Sequence, residues 1–145
     1  MEILRNDFEF IGASAIVLWG RTSAGLNEQG TRKLPSDFHP QGPDSRLLDV
    51  PLDTLIEGNE AHDLGMWQKQ SSLLFQAVAA RTTLRQNVAY NLPRAAVNLN
   101  DDHGGGDLIE ENVFANAVRE SGDHGPINSW ARPQAACCHS LQYAI

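Results

Sequence analysis

The chain has 145 residues, 41% of them hydrophobic and 20% charged, which fits one globular domain with a modest core. Its formal charge is -7, and nine of its eleven basic residues are Arg, leaving Lys33 and Lys69. That balance excludes binding to nucleic acid through a broad basic face, but it leaves room for a small Arg-lined site for an anion.

The N-terminal residues from Met1 to Asp7 lack the basic-then-apolar order of a signal peptide. Phe8 to Trp19 is rich in Ile, Val, Phe and Trp and predicts strand. Its apolar core, Ile11 to Trp19, is too short to span a membrane, and no membrane partner is expected. Residues 21–52 hold scattered Gly, Pro and charge, which predicts a long irregular loop inserted in the domain. Farther on, Leu73, Leu74, Ala77, Val78, Leu84 and Val88 follow helical spacing. So do Ile109, Val113 and Ala117, with Asp107 and Glu110 placed like a capping box. Gly104-Gly105-Gly106 and the Gly122 to Pro126 stretch predict tight turns. Residues 133–145 show no pattern and predict an irregular tail, whose Cys137 and Cys138 are adjacent and read as free thiols.

A second periodicity competes with the helical one. Leu55-Ile56-Glu57-Gly58-Asn59, Thr83 to Asn91 and Leu108 to Asn116 each place an apolar residue, two further residues and then Asn. The anchoring residues Asn59, Asn87 and Asn112 lie 28 and 25 residues apart. Repeats of that length predict a solenoid. In a coil of parallel β-structure, strands stack at about 4.8 Å, and an Asn at the same corner of each coil can bond its amide to the next. Helical spacing gives no reason for the recurring Asn. The expected fold is therefore all-β, a short parallel solenoid over residues 1–132.

The densest stretch chemically runs from Arg119 to Trp130, Arg-Glu-Ser-Gly-Asp-His-Gly-Pro-Ile-Asn-Ser-Trp. With Val17-Leu18-Trp19-Gly20, Asp63 to Ser72, the NLPRAAVNLN run at 91–100 and Gly104 to Glu110, it resembles right-handed parallel β-helix proteins of the pectin-lyase-like superfamily. The similarity is greatest to an uncharacterised group of right-handed β-helix region proteins, and it covers residues 8–23 and 53–132. It implies a right-handed helix, extracellular in intact relatives, and a carbohydrate-associated role, and the repeat spacing gives about four or five coils. It also implies that this chain is a fragment or an eroded copy, with uncapped ends open to self-association. Where relatives carry Gly, this chain has Leu92 and Ala96; if those corners need positive φ, both changes are costly. Relatives also carry Asp where this chain has Ala131.

The candidate acid–base group is Glu120, Asp123 and His124, with Lys69 and Arg119 as cations. Hydrolases of this kind use two carboxylates, whereas lyases need a base and a cation to neutralise a uronate carboxylate. If the chain is an enzyme, it is expected to be one of these two types. The alternative is that Asp123 and His124 lock a turn, and this is favoured over catalysis. Arg94, Trp67, Trp130, Asn98 and Asn100 are the candidate ligand-binding residues, with the tryptophans serving as sugar platforms or as plain corner residues. Asn98, Asn100, Asp101, Asp102, His103 and Asp107 form an oxygen-rich run that could take Ca²⁺, but an Asx-turn cluster explains it better and no cofactor is expected.

Overall fold

In the computed structural model, residues 1–20, 50–122, 124–130, 137–139 and 142–144 are described. Every strand pairing is parallel, and every regular element among these residues is a strand. The first sheet holds β1 (Glu2–Leu4), β4 (Leu55–Glu57), β7 (Thr83–Arg85), β10 (Leu108–Glu110) and β13 (Cys137–His139). The second holds β2 (Asp7–Glu9), β5 (Glu60–His62), β8 (Val88–Tyr90), β11 (Val113–Ala115) and β14 (Gln142–Ala144). The third holds β3 (Ile16–Trp19), β6 (Leu74–Ala80), β9 (Val97–Gly105) and β12 (Ile127–Ser129). Each sheet takes every third strand of the chain. The fold is all-β, and this order is compatible with a solenoid.

The repeating Asn residues hold the corner between the first two sheets. Asn59 donates from its backbone N–H and from Nδ2 to Asn87 Oδ1 at 3.0 and 2.9 Å. Asn87 does the same to Asn112 Oδ1, at 2.9 Å for both bonds. Asn6 joins as a fourth rung, with both donors 2.9 Å from Asn59 Oδ1. Nδ2 of Asn87 and of Asn112 also reaches backbone carbonyls, so the amides satisfy polar groups that burial would otherwise strand. The residue before each rung turns through the left-handed region: Arg5, Gly58, Gln86 and Glu111 have φ of 54°, 66°, 55° and 54°.

Short strands place one side chain inward per repeat, and these form stacked columns. Ile56, Leu84 and Ile109 make one; Ala61, Ala89 and Phe114 another; Leu18, Leu74, Val97 and Leu99 line the third wall. Ile3 and Phe8 cap the first two columns from the β1 and β2 side and are only partly buried.

Four expectations are corrected. The helical spacing over 73–88 and 109–118 belongs to strands. β6 is buried on both faces from Ala77 to Ala80, so its apolar residues do not alternate. The oxygen-rich run read as an Asx-turn cluster is instead strand, since β9 continues to Gly105. Gly104 is close-packed there, because a Cβ would overlap the Ala79 carbonyl. Leu92 and Ala96 do not occupy the left-handed region; both are fully buried core residues, and it is Asn91 (φ 55°) that makes the corner. In the stretch expected to be an irregular tail, β13 and β14 extend the first two sheets by pairing with β10 and β11. The predicted loop lies outside the described residues from 21 to 49.

Candidate functional site

Of the residues singled out by sequence, Trp67, Lys69, Arg94, Arg119, Glu120 and His124 lie on connections at one corner, between the second and third sheets. Four connections meet there: 10–15, 63–73, 91–96 and 116–126. Their turns stack by backbone hydrogen bonds. Met66 and Gln68 donate to Ile11 and Gly12 carbonyls at 3.1 and 2.8 Å. Val118, Arg119 and Glu120 donate to Arg94, Leu92 and Pro93 at 3.1, 3.2 and 2.9 Å. Gly65, at φ 65°, lets Pro93 and the Gln68 carbonyl approach more closely than any Cβ would allow.

This stacking joins residues distant in sequence. Lys69 Nζ donates to Glu120 Oε1 at 3.0 Å, with 48% and 47% of the two side chains exposed. At that exposure the pair adds little stability. Arg94 Nη2 lies 2.6 Å from His124 Nε2. A guanidinium can only donate, so Nε2 accepts and the ring proton sits on Nδ1. Asn98 links two neighbours: its Nδ2 donates to Asn100 Oδ1 at 2.9 Å and its Oδ1 accepts from Asn128 Nδ2 at 2.6 Å.

A groove of about 480 Å³ opens over this corner, lined by Gln70, Arg94, Asn100, His124, Asn128, Ser129 and Trp130. Trp130 is 72% exposed and offers a flat apolar wall. Trp67 is 91% exposed and stands outside the lining. Arg119 is exposed and lies on the rim turn, and Lys69 and Glu120 also fall outside the lining. Asn98 is buried beneath Asn100 and Asn128 as a support. Asp123 lies outside the described residues, as do the side chains of Asp101, Asp102 and His103. Asp107 is turned inward, accepting from the Thr82 N–H at 2.9 Å and from Gln76 Nε2 at 3.0 Å. Among the described residues, no group of three or more His, Cys, Asp or Glu could hold a metal ion.

Gln70, Asn128 and Ser129 are lining residues that sequence reading did not single out. Asn128 had a signal: it falls 30 residues after Asn98 and pairs with it in register.

Chemically, the described lining is a set of donors, amides and one aromatic face. No carboxylate belongs to it, and Glu120 is engaged by Lys69. A carboxylate pair flanking a scissile bond is not assembled by these residues.

A second polar constellation sits on the outer face of the second sheet. His62 Nδ1 is 2.9 Å from Asp63 Oδ2, and Nε2 is 3.8 Å from Glu9. Its ring stacks on Tyr90 at 4.8 Å and meets Phe10 edge-on at 6.1 Å. The hydrogen bond to Asp63 is the main cause raising the His62 pKa above the ordinary imidazole value. Tyr90 donates to Glu60 at 2.9 Å, and that bond is the main cause raising its phenol.

Comparison with models of known protein families, with characterised proteins and with solved structures finds no match to any of them.

Proposed function

We propose that the chain is a right-handed parallel β-helix of the pectin-lyase-like kind, about four or five coils long, that binds a polysaccharide in the Arg94–His124–Trp130 groove. The every-third-strand order of the sheets and the Asn ladder support the fold reading. The handedness rests on the strong preference of parallel β crossovers for the right-handed path.

One observation carries the functional reading: an exposed Trp face shares an open groove with a guanidinium, an imidazole and three side-chain amides. An aromatic wall suits the apolar face of a sugar ring, and convergent amides suit its hydroxyls. A guanidinium such as that of Arg94 suits a uronate carboxylate. Binding fits this set better than hydrolysis, because glycosidases draw on a pair of carboxylates and the described lining holds none.

The test is titration of an acidic oligosaccharide, oligogalacturonate, against the neutral oligomannan. Arg94→Gln and Trp130→Ala should each weaken binding of the acidic chain about tenfold or more, since each removes an interaction of roughly 1.4 kcal/mol or above. Binding that is unchanged in both folded variants, or absent for every glycan tried, overturns the proposal.

The alternative is a structural solenoid with no ligand of its own. Two of the side-chain contacts that join the connections at this corner, Lys69 to Glu120 and Arg94 to His124, favour it. On that reading His124→Ala lowers the melting temperature and changes no binding.

A further inference from the structure

We propose that His62 is a proton-dependent latch, which in its charged form fastens the edge strand β2 to the second sheet. β2 ends that sheet, and β5 is its one paired neighbour among the described residues. Three residue pairs make the seam: Asp7 with Glu60, Phe8 with Ala61 and Glu9 with His62. Phe8 and Ala61 turn inward, so the outer face of the seam carries the other two pairs. Asp7 and Glu60 are like charges directly opposite, an arrangement that pushes strands apart. Glu9 with His62 offsets it only while the imidazole holds a charge.

The contacts of the ring make that condition strict. Asp63 Oδ2 lies 2.9 Å from Nδ1, and Glu9 Oε2 lies 3.8 Å from Nε2. An ionised carboxylate can only accept, and a neutral imidazole has a single N–H. The nearer partner, Asp63, keeps that proton on Nδ1. Nε2 and Glu9 are then two acceptors face to face. The doubly protonated ring instead meets both carboxylates with an N–H. One proton therefore switches the contact across the seam from repulsion to attraction.

The neighbours hold the ring in place without substituting for that proton. Tyr90 stacks on it at 4.8 Å from β8, and Phe10, just past β2, meets it edge-on at 6.1 Å. The Tyr90 hydroxyl is committed to Glu60 at 2.9 Å. The titratable groups around the ring are thus Asp7 and Glu9 from β2, Glu60 from β5, Asp63 from the following corner and Tyr90 from β8, and none of them carries positive charge. The Asp63 hydrogen bond, aided by the charges of Asp63, Asp7 and Glu9 and opposed by burial, raises the ring's pKa. The latch is closed on the acid side and opens as pH rises through the folded value. β2 then frays, carrying Phe8 off the core and leaving β5 as the sheet edge.

Two backbone amides read the latch. The Glu60 N–H donates to the Asn6 carbonyl at 3.0 Å and reports the β2 seam. The Val88 N–H donates to the Asn59 carbonyl at 2.9 Å and reports the next seam inward. Their hydrogen exchange is followed by NMR in the full chain, from about pH 5 to beyond the midpoint of the His62 ring titration, with each rate divided by the intrinsic rate at that pH. Protection of Glu60 relative to Val88 should fall about threefold as the ring loses its proton. His62→Gln takes up no proton, and Glu9→Gln removes the charge across the seam while His62 still titrates. In each variant the ratio should be nearly flat with pH. The Glu9 side chain is 56% exposed, so its replacement tests the latch even where His62→Gln folds poorly. A ratio indifferent to the His62 titration, or a fall retained in Glu9→Gln, overturns the latch. Equal losses at Glu60 and Val88 also overturn it, because His62 then stabilises the domain as a whole. Neither amide belongs to the groove, so the glycan reading stands or falls separately.

Discussion

On the outer face of the second sheet, His62 is surrounded by acceptors: Asp63 at 2.9 Å, Glu9 at 3.8 Å, and the charge of Asp7. Its pKa is raised, chiefly by the Asp63 hydrogen bond and against the cost of burial. A raised folded value means that the native state holds this proton more tightly than the unfolded chain does. The contribution is then complete below the unfolded imidazole value of about 6.5 and is lost as pH rises through the folded value. His62→Gln should therefore lower the melting temperature most near pH 6, and the gap to the parent should shrink as the solution becomes alkaline. Thermal melts of both proteins across that range check it, and a gap that widens with pH refutes the account. Leu92 gives a second prediction at this scale. It is fully buried with an ordinary backbone, so Leu92→Ala should cost about 2–5 kcal/mol in urea unfolding. A cost below about 1 kcal/mol would mean that the side chain fills no needed space.

The Asn ladder is the element that sequence made most legible, and the reason is physical. A buried amide that bonds its counterpart one repeat away must recur at the repeat length, so the spacings of 28 and 25 residues are the ladder itself. Asn6 escaped that reading because 53 residues separate it from Asn59, with the long 21–49 stretch between them. β6 misled for a different reason: buried on both faces, it carries no alternation, and its apolar run suits a helix equally well. The geometry of the candidate site was legible in part. Arg94, His124 and Trp130 share the groove, yet the outward swing of Trp67 and the inward turn of Asp107 depend on turn geometry that residue types leave open. The ladder itself predicts a sharp asymmetry. Asn87→Ala strands the Asn59 N–H, leaves Asn59 Nδ2 with only its bond to the Ile3 carbonyl, and removes donors to Ile56, Arg85 and Asn112, so it should cost about 3 kcal/mol or more. Asn116, whose bond to Asn91 at 2.7 Å is exposed, should cost about 1 kcal/mol or less on replacement by Ala. Equal losses in urea unfolding would remove the ladder from its structural role.

At the scale of the whole molecule, the three sheets share an edge formed by β1, β2 and β3, where each presents unpaired backbone groups among the described residues. The interior columns surface there. Ile3 and Phe8 are only partly buried, whereas Ile56 and Ala61, one strand inward, are 0% exposed. Asn6 is exposed, and its Oδ1 receives no bond among the described residues, whereas Oδ1 of Asn59, Asn87 and Asn112 each receives two. An apolar recess of about 440 Å³ between Met1, Ile3, Phe8, Ile16 and Leu18 completes the surface. Parallel edges of this kind are templates for further strands, and proteins commonly blunt them with inward-pointing charge. The chain should therefore self-associate, with its sedimentation coefficient rising with concentration. Ile3→Lys and Phe8→Lys place a charge at the edge without cutting the buried columns behind it, so they should reduce association and leave most of the thermal stability intact. Trp67→Ser is the control, because that exposed ring lies on the 63–73 connection, away from the recess. If Trp67→Ser disperses the assemblies and the two lysine variants do not, association runs through the surface connections and the open sheet edge is not its cause.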